Sequence, residues 1–433
     1  MAPPGAGRSE PFYARRVKAL FLLLFVAVVA VSLGLRWLNL RYHAKQGNVV
    51  PPELEGAVDP AKLEQIGAYT REKSRLGMLS MVLHNLAFGV FLFSGLLGAY
   101  DGAVRGITSS FVGHGVLFFL GIALAEAVLG IPLALYTNFK VEARYGFNRM
   151  SPGLWWSDWF KGTAISLVLI ALAASGALAL VSAAPATWWL WVWLLFVSLG
   201  ILLMYVSPYV IEPLFFKMEP LAMDGLDAEV RALAERAGVH VGRVLKMDAS
   251  RRSSHSNAYF TGIGRTKRVV LFDTLLEQMS RTEILAVLAH ELGHWKKHHV
   301  FSRLLVTYAL ALIAAYAAFQ LAAAPGLPAL VGLGEASFSA RIVILAALGS
   351  LLMFPLTPVF SYWSRRHEWQ ADRFAVELYG RPGELASALV KLARENLSNL
   401  HPHPLYDAFY YSHPPMAERI RALRQTAAAA AAE

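Results

Sequence analysis

The residues best able to do chemistry in this chain lie in Leu285–Val300, LAVLAHELGHWKKHHV. His290 and His294 stand four apart, so on an α-helix they share one face and could bind a single zinc through their imidazoles. Glu291 follows the first histidine directly. In such sites this carboxylate reaches the water beside the metal, whose pKa zinc lowers to about 7, and takes its proton. The H-E-x-x-H pattern also arises by chance, and its plain alternative is a helix with two surface histidines. A catalytic zinc wants a third protein ligand. The metzincin extension would need Gly and His where Lys297 and Val300 stand, so that class is excluded. A glutamate on a later helix remains, and Glu368 in SRRHEWQADRFA is the best candidate. Its alternative is a solvated charge paired with Arg365 or Arg366. Asp372 lies one turn beyond Glu368 and could hydrogen-bond the free nitrogen of a ligand histidine. No glutamate follows His294, so His298 founds no second motif. Lys296, Lys297, His298 and His299 read as an interfacial basic cluster. The chain has no cysteine, which rules out disulfides and thiolate ligands.

The elements that must hold these residues belong to a very apolar chain. Its 433 residues are 56% hydrophobic and 16% charged, with a mean hydropathy of +0.44. That is too apolar for soluble domains of this length and fits one polytopic membrane protein. The net charge of +10 reads as basic cytoplasmic loops, not as nucleic-acid binding, for which there is no signature. Seven stretches approach the ~20 apolar residues of a bilayer-crossing helix: 19–37, 78–100, 111–137, 162–184, 187–206, 300–324 and 341–361. The first runs into Arg36 and Trp37 without a small-residue cleavage site, so it is a span and not a signal peptide. Pro185 marks a tight hairpin, and Pro355 and Pro358 predict a kink. Lys and Arg crowd the first and third loops, which places those loops, the C-terminus and the catalytic region in the cytoplasm and the N-terminus outside. Arg8, Arg15, Arg16 and Lys18 weigh the other way and are outnumbered.

The chain therefore divides into an N-terminal tail at 1–18, spans one to five with their loops at 19–206, and a cytoplasmic catalytic region at 207–299. Spans six and seven follow at 300–361, then a C-terminal catalytic segment at 362–426 and an Ala-rich tail at 427–433, read as frayed. Residues 226–238 form an amphipathic helix stopped by Gly238. VGRVLKM, NAYFTGI and RVVLFD are β-rich. Ser280 and Glu283 predict a capping box that starts the HELGH helix. The expected fold class is an all-α membrane protein with a small α+β zinc-protease domain on its cytoplasmic side. His84, His114 and Glu126 fall inside spans, where ionisable groups face the protein interior or a water cavity. Glu126 is expected to line such a cavity, the alternative being a buried hydrogen-bonded pair.

Several separated blocks, FKVEARYGFN at 139–148, DASRRSSHSNAYFTGIG at 248–264, HELGH at 290–294, SRRHEWQADRFA at 364–375 and YSHPPMAERI at 411–420, together resemble the type I CAAX prenyl endopeptidases, integral-membrane zinc proteases. The resemblance implies seven helices enclosing a large water-filled chamber, with one zinc per chain near its cytoplasmic end. His290, His294 and Glu368 would ligate it and Glu291 would be the general base. A substrate would add as a strand beside Asn257 and Ala258. Asn257, His413 and Arg419 fall where the family places polar groups around the scissile carbonyl, with His413 stabilising the oxyanion. Taken residue by residue, Asn257 could instead cap a turn, His413 could be a loop histidine and Arg419 a helix ion pair.

The partners implied are the lipid bilayer and a prenylated or membrane-associated peptide. The Ala- and Arg-rich composition suggests a GC-rich bacterial genome and an inner-membrane location, with the endoplasmic reticulum membrane as the eukaryotic counterpart. In a bacterium, a quality-control protease with unprenylated substrates is an equal expectation. A metal-binding transporter or scaffold is the other class; it has no use for Glu291 or for the NAYF strand.

Overall fold

The computed structural model describes residues 10–223, 225–262 and 267–432. The first nine residues of the expected tail, Ile263 and Gly264 of the strand block, and Glu433 lie outside the described residues. Helices α1 (Glu10–Gln46), α2 (Pro60–Phe93), α3 (Leu96–Ile107), α4 (Phe111–Tyr136), α5 (Pro152–Ala183) and α6 (Trp188–Val210) come first. After the single turn α7 (Glu212–Phe215) come strand β1 (Met218–Pro220), helix α8 (Leu226–Arg236), and strands β2 (Arg243–Met247), β3 (Ala258–Thr261) and β4 (Arg268–Phe272). The rest is helical: α9 (Asp273–Gln278), α10 (Arg281–Lys296), α11 (His299–Ala322), α12 (Phe338–Met353), α13 (Thr357–Tyr379), α14 (Pro382–Glu395), α15 (Pro404–Tyr410) and α16 (Met416–Ala432).

Among the described residues, seven helical stretches are long and apolar enough to cross a membrane, and they coincide with the seven expected spans. Six of them are longer than hydropathy suggests, up to 42 residues, because polar turns continue the helix past the apolar window; the sixth, His299–Ala322, keeps about its expected length at 24 residues. The second span departs from its expected end at residue 100. It stops at Phe93, and Gly95, at φ 95°, turns the chain into α3. That left-handed backbone is open to glycine at little cost. The last span breaks where Pro355 and Pro358 predict, at a 3-10 turn between α12 and α13. Two terminal expectations are corrected. Helix α1 already runs from Glu10, inside the supposed tail, and α16 runs to Ala432 through the supposedly frayed alanines. Alanine is the strongest helix former, so a run of it extends a helix that packing has already nucleated.

No more than 17% of any span's most apolar window is buried. A packed bundle would bury an inward stripe on every helix. Here the spans touch in a circuit, α1 to α2, α2 through α3 to α4, then α5, α6, α11, α12 and back to α1. Two hydrophobic cores close the ends of this ring. One gathers Phe21, Leu92, Val104, Phe118 and Ile344. The other joins the start of α2, through Ile66, and the π-helical turn after α4 (Thr137–Glu142), through Val141, to the sheet and to α8, α10, α14 and α16. The spans thus leave most of their apolar surface outside either core.

The second core carries the site. Its four-stranded sheet has the order β1-β2-β4-β3, with β2 and β4 parallel and the outer pairs antiparallel. Strand β1 is absent from the sequence reading: three residues give no alternating pattern to detect. Helix α8 ends as expected, with Gly238 at φ 71°. The capping box on α10 is complete: the Ser280 amide donates to Glu283 at 2.7 Å, and the Glu283 amide donates back to the Ser280 hydroxyl. Burial opposes the charge on Glu283, but hydrogen bonds from Lys391 and Ser387 prevail and hold its carboxyl below its usual range.

Candidate metal centre

Helices α10 and α13 cross at Gly293. A Cβ there would lie 2.9 Å from Ala371 Cα and 3.1 Å from its carbonyl oxygen. The glycine inside HELGH therefore lets the backbones approach closely. The close approach brings Glu368, on α13, to the two histidines of α10. His290 Nε2 and His294 Nε2 are 3.2 Å apart. Glu368 Oε2 is 3.4 Å from the first and Oε1 is 3.3 Å from the second. Donors about 2.0–2.1 Å from a tetrahedral zinc stand about 3.3 Å from one another. The triangle thus has the edges that such an ion requires. Among the described residues it is the one trio of His or acidic side chains so placed.

Two further observations fit a cation at this point. Glu368 is 2% exposed, and its Oε2 accepts no aligned hydrogen bond. His413 Nδ1 at 2.9 Å and Arg419 Nη1 at 3.5 Å come close to it without pointing a hydrogen along the bond. A buried carboxylate oxygen is rarely left so. Burial should also keep the His290 ring neutral, but Asp372 and Glu368 more than reverse this and raise its pKa to about 9. The pocket stabilises positive charge in the plane of that ring.

Outside the trio, Asp372 Oδ1 lies 2.8 Å from His290 Nδ1. Arg419 donates to both oxygens of Asp372, from Nη2 at 2.6 Å and from Nε at 2.8 Å. Arg419 is 4% exposed, so its guanidinium braces Asp372 more than it faces open space. Glu291 is half-buried, and its charge reaches Arg419. His413 sits at the rim, with 61% of its side chain exposed.

Strand β3 packs against α10 and is the last strand of the sheet, so its outer edge has no partner strand among the described residues. Asn257 is exposed at its start, and its side-chain oxygen accepts from the Ala258 amide at 2.8 Å. The segment leading into β3 is pinned by the loop after the third span. His255 stacks on Phe147 with ring centres 4.0 Å apart and approaches Glu142 Oε2 at 3.5 Å. Arg252 makes a two-point pair with Asp158.

His290, His294, Glu368, Asp372, His413 and Arg419 thus collect at one place, and two neighbouring expectations are adjusted. Arg365 does not pair with Glu368; its Nη1 donates to the carbonyls of Asp407 and Tyr411, at the end of α15. His299 is no part of an interfacial basic cluster: it is 2% exposed and meets His294. The His290–His294 spacing gave no signal for His299, because five residues apart is not one helix face. Among the intramembrane groups, His114 is buried 3.3 Å from Asp101 Oδ1 in the end core, and Glu126 is exposed.

Comparison with known proteins agrees with this geometry. Residues 39–217 match the model of the CAAX prenyl protease N-terminal region, described as five membrane helices, and residues 220–427 match that of peptidase family M48. The CAAX prenyl protease 1 homolog of Arabidopsis thaliana is 34% identical over 86% of this chain and 90% of its own. CAAX prenyl protease 1 of Saccharomyces cerevisiae is 32% identical over 88% and 90%. The crystal structure of S. mikatae Ste24p superposes with a TM-score of 0.88 at 27% identity, covering 94% of this chain and 99% of that one.

Proposed function

The chain belongs to peptidase family M48, among the CAAX prenyl proteases, and from that premise we propose that it is a zinc endopeptidase cutting near the C-terminus of prenylated CAAX-type peptides on the cytoplasmic side of its membrane. The metal triangle with edges of 3.2–3.4 Å carries the reading. Nitrogen and oxygen donors in this number suit zinc, which can keep a fourth position for water or substrate. Zinc, when bound by His290, His294 and Glu368, supplies Lewis acidity to the attacking water and to the scissile carbonyl.

The chain's own residues do the rest. Asp372 accepts a hydrogen bond from His290 Nδ1, which fixes the tautomer that leaves Nε2 free. Arg419 holds Asp372 in that role. Glu291 takes a proton from the attacking water and delivers it to the leaving amine. The peptide lies along the free edge of β3, where main-chain hydrogen bonds align it beside α10. Asn257 spends its oxygen on the Ala258 amide, which leaves its NH2 group to donate to the peptide. His413 donates to the oxygen on which charge develops.

The test is cleavage of a fluorogenic farnesylated CAAX peptide by the purified full chain, beside Glu291→Gln. The expected result is cleavage by the wild type, at least 10²-fold slower cleavage by the variant, and equal zinc content in both. If only unprenylated peptides are cut, the protease reading holds and the prenyl specificity fails. If zinc is bound and nothing is cut, the chain is a metal-binding protein without hydrolytic activity.

A further inference from the structure

The two histidines of the trio are oriented differently. His290 is fixed by a carboxylate, which can only accept a hydrogen bond. His294 has no carboxylate behind it. Its Nδ1 meets His299 Nδ1 at 3.0 Å, and His299 Nε2 meets Gln370 Oε1 at 2.8 Å. The contact depends on a break in the helix. His298 takes the left-handed conformation, at φ 58°, between α10 and α11. That turn swings His299 back beneath His294. Its ring lies flat on His367, with centres 4.0 Å apart and planes within 6°, and Trp363 meets the far ring edge-on.

A neutral imidazole has one donor and one acceptor nitrogen, so the two facing Nδ1 atoms share a single proton. If His299 carried it, His294 would hold its own proton on Nε2, pointing into the metal triangle. If His294 carries it, Nε2 is left with a free lone pair. Gln370 decides between these. With its oxygen toward His299, the ring must donate from Nε2, and its Nδ1 becomes the acceptor. We propose that His299 is a positioning residue which, set by Gln370, fixes His294 in the tautomer that binds metal. This rests on the zinc reading above. It assigns the second histidine a neutral His–Gln relay where the first has an Asp–Arg pair.

The experiment measures zinc affinity of the purified full chain by chelator competition, without reference to activity. Wild-type protein must first bind zinc; if it does not, the zinc reading fails and this inference falls with it. Against a zinc-binding wild type, His299→Leu keeps the bulk and loses the acceptor, and affinity should fall by about 10–100-fold. His299→Asn places an oxygen where Nδ1 stood and should bind within about threefold of wild type. Wild-type affinity in the leucine variant overturns the proposal, as does an asparagine variant as weak as the leucine one. Should the leucine variant not fold, the Gln370 pair decides. Gln370→Glu, able only to accept, keeps the affinity, and Gln370→Leu loses part of it. Equal affinity in those two overturns the proposal.

Discussion

At the scale of single residues, the centre is a trio of side chains that could hold a metal ion, framed by buried partners. His290 illustrates the consequence. Its pKa in the folded, metal-free protein is raised to about 9 against an ordinary 6.5, because Asp372 and Glu368 outweigh the burial that opposes the charge. A raised value means that protonation stabilises the fold fully below about pH 6.5. The contribution is lost as pH rises through about 9. Zinc competes with that proton. Zinc affinity should therefore rise with pH by up to tenfold per unit and level off near pH 9, as measured by titrating metal-free protein. A flat profile between pH 7 and 9 would contradict the raised value. Arg419 and Asp372 form a buried pair in which each is the other's compensation. Arg419→Ala leaves a buried carboxylate uncovered and should lower stability by about 3–5 kcal/mol, read from the thermal melting of the metal-free protein. Asp372→Asn, which can still accept a hydrogen bond, should weaken zinc by about 10–100-fold, and it should also lower stability, because buried Arg419 loses its counter-charge.

At the scale of elements, the site depends on how closely α10 and α13 approach and on what holds the C-terminal loop. Gly293→Ala inserts a methyl group 2.9 Å from the Ala371 backbone. Backbone cannot give way as a side chain can, so the helices must part. We expect a loss of about 1–3 kcal/mol of stability together with weaker zinc binding, since the ligands lie on both helices. Unchanged zinc affinity would show that the crossing tolerates the methyl group. Arg365 acts on the other flank. Its guanidinium satisfies carbonyls at the C-terminal end of α15, immediately before the loop that carries His413. Arg341 does the same for α11, donating to the carbonyls of Ala322 and Ala324. Orphan carbonyls at a helix end are commonly met by such basic groups. Arg365→Ala should leave zinc affinity intact while kcat falls by as much as about 10²-fold through misplacement of His413. A kcat equal to that of the wild type would detach His413 from catalysis.

At the scale of the whole molecule, two cores close the ends of a ring of membrane helices, and the catalytic core is one of the closures. On α4, Phe119 and Ile122 turn toward the end core, and Glu126 follows on the same face one turn later, exposed. We propose that this position lines a water-accessible space between the spans. In this cysteine-free chain, Glu126→Cys should react with a water-soluble thiol reagent, whereas a cysteine on the lipid side of the same helix should not. Equal protection of both would argue that the space is closed or dry. The sequence by itself determined the spans, their number and the kink at Pro355. It also named the five chemical residues His290, His294, Glu291, Glu368 and Asp372, because apolar length and i,i+4 spacing are local properties written in one stretch of chain. The capping box and the Gly238 stop are of the same kind. Only the tertiary structure decided that His299 lies beneath His294, since a single left-handed residue redirects a helix without any periodic signal. The same holds for the duties of Arg365 and Arg419, whose partners lie 42 to 47 residues away. Long-range pairing leaves no trace in spacing, and which of several nearby charges a guanidinium meets is settled by how the helices cross.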